Sequence, residues 1–324
     1  MLDIAAFRTL GFARQEDEAI WTRDWICIGT CDDVAETGDV LPYTIGDHAM
    51  HVQRGADGGL AGRFNKAQHG GCRVVPLQCQ QGTKTPCSFT SCGHSRDRKA
   101  ISAGELGDDT PEMYQYLGLR PERLLPVRVA EAGSLLFAHL DPHGEEIDRI
   151  ASALAEFAPM IARDGTPRLF EEWLEFGGNW KLVGQYIAGI DTQTPSGSAD
   201  MLTGETVLGR VRGRAAWLFP NLVVLKAGEA VCVVLLQPTA LTRTLCRVHV
   251  FGDDGLGWRN VINSRGIEAA RSQSAVDGIV DMRGRGPMPV VSDPAARWLC
   301  DRVARRFDAH PLDGAANELA SFIY

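Results

Sequence analysis

Residues 38–65 read GDVLPYTIGDHAMHVQRGADGGLAGRFN, and they set the fold of the first half of the chain. Short β-prone runs alternate with Gly and Asp turn signals, the texture of a small antiparallel β unit. Downstream, residues 124–142 (LLPVRVAEAGSLLFAHLDP) close the unit with two more strands, turning at Gly133 and stopping at Pro142. Upstream, the first residues read as a helical arm, and residues 18–29 (EAIWTRDWICIG) lead from it into a first strand.

The second half has a different texture. A helix is expected over residues 145–163, and residues 171–190 (EEWLEFGGNWKLVGQYIAGI) change from strand to helix near Gly178 and Asn179. Residues 215–252 (AAWLFPNLVVLKAGEAVCVVLLQPTALTRTLCRVHVFG) read as three strands with turn signals between them. Residues 266–278 and 294–310 space their apolar residues three and four apart, as helices do. The expected fold class is α+β: a small antiparallel β domain, then a domain whose antiparallel sheet is flanked by helices. The expected boundaries are 1–37 for the arm and first strand, 38–142 for the β domain and 143–324 for the α+β domain.

With 324 residues, 44% hydrophobic and 23% charged, the composition is that of a soluble globular chain with material for a real core. A net charge of −8 gives no affinity for nucleic acid or a membrane surface. No apolar run approaches the ~18 residues of a membrane span, and the acids near the start argue against a signal peptide or anchor. The expected location is the cytoplasm, where thiols stay reduced, so the nine cysteines point to metal ligation or plain burial rather than disulfides. Cys27, Cys31, Cys232, Cys246 and Cys300 sit in apolar or mixed settings and read as ordinary small residues.

Residues 65–94 (NKAQHGGCRVVPLQCQQGTKTPCSFTSCGH) are different: they hold four of the nine cysteines and two of the eight histidines on polar, Gly-rich loops. The spacing is Cys-x6-Cys-x7-Cys-x4-Cys. A closed tetrahedral zinc site wants four soft or borderline ligands from adjacent loops. Cys72, Cys79, Cys87 and Cys92 are the expected set, with a competing set in which His69 replaces Cys79. An iron–sulfur cluster of unusual ligation and no metal at all are the alternatives. Just beyond, His94, Arg96, Asp97 and Arg98 form a charged cluster that is either a solvated turn or a subunit contact. His48, His51, His139, His143, His249 and His310 are scattered, and none is assigned to a metal.

Residues 38–65 and 124–142, the helix NWKLVGQYIAGI at 179–190 and the strand LFPNLVVL at 218–225 occur in an order that resembles the large (α) subunit of Rieske-type non-haem iron, aromatic ring-hydroxylating oxygenases. The resemblance covers most of the chain. It implies a small β domain built around a [2Fe–2S] cluster and a helix-grip (START-like) domain built around a mononuclear iron.

The ligands are where the chain departs from that pattern. A Rieske cluster takes two thiolates and two imidazoles, which the family supplies as Cys-x-His and Cys-x-x-His. Here the first loop reads Ala67-Gln68-His69 and the second Cys87-Ser88-Phe89-Thr90. Alanine has no donor atom, and a threonine hydroxyl is a poor substitute for imidazole on iron. The family's iron sits on two histidines and an aspartate. Here Asp191 stands near the first histidine's place, Ala188 where a carboxylate would couple the two metal sites, and Arg265 where the third ligand would fall. No histidine occurs between His143 and His249. Neither a standard [2Fe–2S] cluster nor mononuclear iron is therefore expected in this chain.

The expectation that follows is a degenerate, non-catalytic pseudo-α subunit. It would assemble with an active, iron-containing α subunit as a hetero-oligomer such as a heterohexamer. That complex would draw electrons from a reductase or ferredoxin to hydroxylate or demethylate a small organic substrate. Two further readings stand beside it: a stand-alone enzyme with Gln185, Tyr186, Asp191 and Asp200 lining its pocket, and a ligand-binding protein that reuses the pocket.

Overall fold

The computed structural model describes residues 2, 4–46, 48–64, 77–78, 84–85, 125–162, 167–191, 200–252, 257–283 and 294–311. The chain divides into a unit of Asp24–Asp148 and a larger unit made of Met1–Arg23 together with Arg149–Tyr324.

The smaller unit is built on an antiparallel sheet. Its strands are β1 (Ile26–Thr30), β2 (Val40–Ile45), β3 (His48–Arg54) and β4 (Leu60–Phe64), with β7 (Pro126–Ala132) and β8 (Leu135–His139). Two short strands, β5 (Leu77–Gln78) and β6 (Lys84–Thr85), pair with each other. The six-stranded order is β1-β8-β7-β4-β3-β2. The expected turn at Gly133 takes a left-handed φ of 61°, a conformation that glycine adopts without steric cost. β1, at one edge of this sheet, pairs with β8, and every residue of both strands is buried.

The larger unit begins with a short helix, α1 (Leu10–Glu16). After α2 (Asp148–Phe157) come β9 (Arg168–Phe176) and α3 (Trp180–Ala188). The meander β10 (Met201–Leu208), β11 (Val211–Leu218), β12 (Leu222–Ala227), β13 (Ala230–Ala240) and β14 (Arg243–Phe251) follows, and α4 (Trp258–Arg283) and α5 (Pro294–Ala309) complete the unit. The sheet order is β10-β11-β12-β13-β14-β9, antiparallel throughout. The first strand therefore lies at the far edge from the second, and α3 carries the chain across the sheet between them. Together the two sheets and their helices make the α+β class read from the sequence.

Register fixes which face the helices cover. Leu202 and Thr206 on β10 share a face with Trp217, Val223, Val234, Leu236 and Cys246. α3 packs on this face: a Cβ at Gly184 would fall 2.4 Å from a Trp217 ring carbon and 2.7 Å from Leu236. Four elements differ from expectation. Residues 215–252, read as three strands, hold the end of β11 as well as β12, β13 and β14. α2 is shorter than the 145–163 helix. α4 begins at Trp258 and runs to Arg283, so it extends beyond the expected 266–278 at both ends and takes in Arg265. β10 was not anticipated, because its polar, Gly-containing sequence MLTGETVL carries a weak strand signal.

Candidate functional site

The best-defined polar construction in the described residues surrounds α3. Its start is pinned by Asn179, which adopts the extended backbone of an N-cap and whose Oδ1 accepts from Lys181 N at 3.1 Å. Asn179 Nδ2 donates to Leu241 O at 2.8 Å, and Asn179 N donates to Gln273 Oε1 at 3.1 Å. Thr244 Oγ1 donates to Gly178 O at 2.8 Å. Strand β14, helix α4 and the β13–β14 turn thus all hold the first turn of α3.

Its other end is closed by Arg265, from α4. The helix stops at Gly189, whose φ of 52° marks a left-handed cap. Arg265 Nη1 donates to Ile187 O and, at 3.3 Å, to Ala188 O. Arg265 Nη2 donates to Thr206 Oγ1 at 2.6 Å and to Val207 O at 2.7 Å. The Thr206 hydroxyl in turn donates toward Gly189 O at 2.8 Å and Ala188 O at 3.1 Å. A cation at a helix C-terminus meets the negative end of the dipole. Burial pushes the guanidinium down to about 10 from its ordinary value, with the nearby Cys232 opposing that shift.

A second charged group, fully buried, lies in the first turn of α3. Lys181 is fully buried, and its Nζ donates to Glu16 Oε1 at 2.5 Å. Trp180 Nε1 donates to Glu16 Oε2 at 3.2 Å. The ammonium lies 5.1–5.4 Å from the ring centroids of Trp180, Phe12 and Phe7, within cation–π range. Burial raises the Glu16 pKa and lowers that of Lys181, and in each case the partner's charge opposes the shift. Sequence reasoning passed over this pair. Its one signal was a lysine inside the otherwise apolar run Trp180–Val183.

The residues proposed for an acid–base pocket do not converge. Gln185 and Tyr186 lie half-buried on α3, and Asp191 is exposed, with its backbone N donating to Glu205 O at 2.8 Å. Asp200 precedes β10, five residues before Glu205, a span of roughly 16 Å along a strand. It is held by Arg149 at 2.8 Å, Arg306 at 3.2 Å and Arg302 at 3.7 Å. Cys72, Cys79, Cys87, Cys92 and His69, along with the charged cluster at His94–Arg98, fall outside the described residues. Among the described residues, no three His, Cys, Asp or Glu side chains group closely enough to hold a metal ion. No helix there is long and apolar enough to cross a membrane.

The remaining histidines serve packing and charge. His139 stacks edge-on against Trp25, with ring centroids 5.1 Å apart, and its Nδ1 accepts from Asp141 N at 3.1 Å. His249 Nδ1 lies 3.3 Å from Arg168 and 4.0 Å from Glu171. His51 is buried on β3 beside Arg63, and its Nδ1 has no partner among the described residues. Burial, then the Arg63 charge, lowers its pKa to about 4. Cys27, Cys232 and Cys246 are buried, and burial pushes the thiols of Cys27 and Cys246 up, which leaves them unreactive.

No family model matches the chain. The oxygenase subunit of glycine betaine monooxygenase from Chromohalobacter salexigens is 26% identical over 169 residues, which is 52% of this chain and 36% of that protein. Biphenyl 2,3-dioxygenase subunit alpha from Rhodococcus jostii is 24% identical over 191 residues, 57% of this chain and 40% of that protein. The matched part is thus well under half of either relative's length. Among solved structures, the quaternary ammonium Rieske monooxygenase CntA superposes with a TM-score of 0.66 at 15% identity, covering 94% of this chain and 95% of that one. Naphthalene 1,2-dioxygenase from Rhodococcus sp. superposes with a TM-score of 0.61 at 12% identity, covering 95% and 94%. In sequence along about half its length the chain is similar to these oxygenase subunits, and along nearly all of its length it shares the fold of the solved oxygenases.

Proposed function

We propose that the chain is a non-catalytic, pseudo-α subunit of a Rieske-type oxygenase complex, assembled with an active, iron-containing α subunit. The observation that carries this reading is the donor set around α3. Residues 144–248 contain no imidazole, and His249 on β14 pairs with Val233 on the face away from Trp217 and Leu236, so the helix and the sheet face beneath it offer none to iron. At the two positions where the resemblance places further ligands, Asp191 is exposed and Arg265 is itself a cation. The cluster loops point the same way, with Ala67 and Thr90 at two of the four ligand positions. These residues do not fit either iron group.

In this reading the active partner acts on a small organic substrate with electrons from a reductase or ferredoxin. The relatives named for glycine betaine and for quaternary ammonium compounds make that substrate class the first to test. Cys72, Cys79, Cys87 and Cys92, with His69 as the competing ligand, hold a structural zinc that ties the loops where a cluster would otherwise do so. The stand-alone enzyme reading is weaker, because Asp191 is backbone-paired to Glu205 whereas Asp200 precedes β10 among arginines, and the two form no acid–base pair.

Elemental analysis and a visible spectrum on one sample of the purified chain test the reading. About one zinc per chain, no iron and no visible band are expected for a closed four-ligand site. Co-expression with a candidate α subunit should then yield a stable hetero-oligomer whose oxygenase activity needs the partner's iron. A Rieske-type absorption from this chain alone would overturn the proposal.

A further inference from the structure

The cradle at the end of α3 contains four oxygen acceptors and no carboxylate. Three are main-chain carbonyls, of Ile187, Ala188 and Val207, and the fourth is the Thr206 hydroxyl. Hard, neutral oxygens of this kind are the donors that bind hard cations. They come from two elements, α3 and β10, and face a common point reached from a third, α4. That point is filled from within the chain. Each terminal nitrogen of Arg265 serves two of the oxygens, so the planar fork meets all four acceptors. The fit is close: a Cβ on Gly189 would lie 2.9 Å from the guanidinium carbon, and its left-handed φ already favours glycine there. Among the described residues every hydrogen-bond acceptor of this guanidinium is a neutral oxygen.

We infer that these four oxygens form a cation site whose resident cation is the Arg265 guanidinium, covalently supplied, which closes this end of α3 to an exchangeable metal ion. The inference rests on the proposed function, in which this unit carries no iron. It adds what takes over the metal's mechanical task. A metal ion draws separate elements together through its ligands, and here the guanidinium joins α3, β10 and α4 instead. The larger unit is then fully formed without metal.

Thermal melting of the full-length chain tests the site, with three substitutions at Arg265. Arg265→Met keeps the length and loses the charge, and it should lower the Tm by roughly 5–10 °C for a unit of this size. Arg265→Lys keeps the charge but has three donors for four oxygens, and its Tm should fall between. Arg265→Ala should regain stability in millimolar methylguanidinium, whereas the wild type should not respond and urea should rescue nothing. Equal melting of the Met variant and the wild type, or of the Met and Lys variants, overturns the inference. Ferrous iron and nitric oxide added to the wild-type chain judge the underlying reading separately. No high-spin iron–nitrosyl signal is expected, and a stoichiometric one would overturn the iron-free reading together with the inference built on it.

Discussion

Lys181 shows what a single buried charge demands of its surroundings. It sits at full burial in the first turn of α3, and Glu16 is its only anionic hydrogen-bond partner among the described residues. Removing one member of such a pair leaves the other charge stranded in a low dielectric, at a cost of about 3–5 kcal/mol. Lys181→Met should therefore destabilise the chain by that order. The double variant Glu16→Gln/Lys181→Met should recover much of the loss, since glutamine still accepts from Trp180 Nε1. Urea unfolding of both singles and the double closes the cycle, and a coupling near zero would show that the pair is not a unit. Nothing in the sequence linked the two residues. A lysine among apolar neighbours is visible, but its partner stands 165 positions away, and residue spacing carries no such information. Arg265 was legible only as a residue out of keeping with its place. That it becomes the C-terminal clamp of α3 depends on the approach of β10, a strand the sequence barely announces.

The glycines of two helices separate packing from propensity at the scale of the element. Gly184 faces the sheet, and any side chain there must displace Trp217 and Leu236. Gly184→Ala should cost about 1–3 kcal/mol as overpacking. Gly11, in α1, has open space around the same position, so Gly11→Ala should stabilise by roughly 0.5–1 kcal/mol through helix propensity alone. Opposite signs in chemical denaturation are the expected result, and equal signs would mean that α3 does not seat on the sheet as described. Elements were legible in proportion to their hydrophobic patterning. The strand-to-helix change at Gly178–Asn179 was plain because apolar period and N-cap coincide. β12 and β13 were plain because they contain runs of Val and Leu, and β14 because apolar residues recur through RTLCRVHVF. β10 was missed because, at a sheet edge, it alternates with Thr, Gly and Glu. The start of α4 was missed because Asn260, Asn263 and Ser264 are weak helix formers that tertiary packing overrides.

Acid should act on the whole molecule through His51. Its pKa of about 4 in the folded chain lies below the 6.5 of an exposed imidazole, because burial and Arg63 disfavour the charged form. The unfolded chain then binds the proton more readily between these two values. Stability from this group is complete above pH 6.5 and is lost as pH falls toward 4. The loss is at most about 3 kcal/mol. His51→Phe should flatten the dependence of unfolding free energy on pH in that window, and an unchanged slope would assign the acid sensitivity to other groups. At this scale the α+β class and the order of sheets followed from the texture of the sequence. The route of the chain did not: residues 1–23 pack with residues 149–324, and the β-rich unit is an insertion between them.

That route has a temporal consequence. On the ribosome Glu16 emerges long before Lys181, and the entire β-rich unit is made in the interval. The opening segment, with Phe7 and Phe12 on its apolar side, must wait without its dock while its neighbour folds first. Assembly of the larger unit thus waits on the residues from Arg149 onward, even for those of α1. Chaperone dependence should concentrate on the apolar residues of Ile4–Phe7 and of α1.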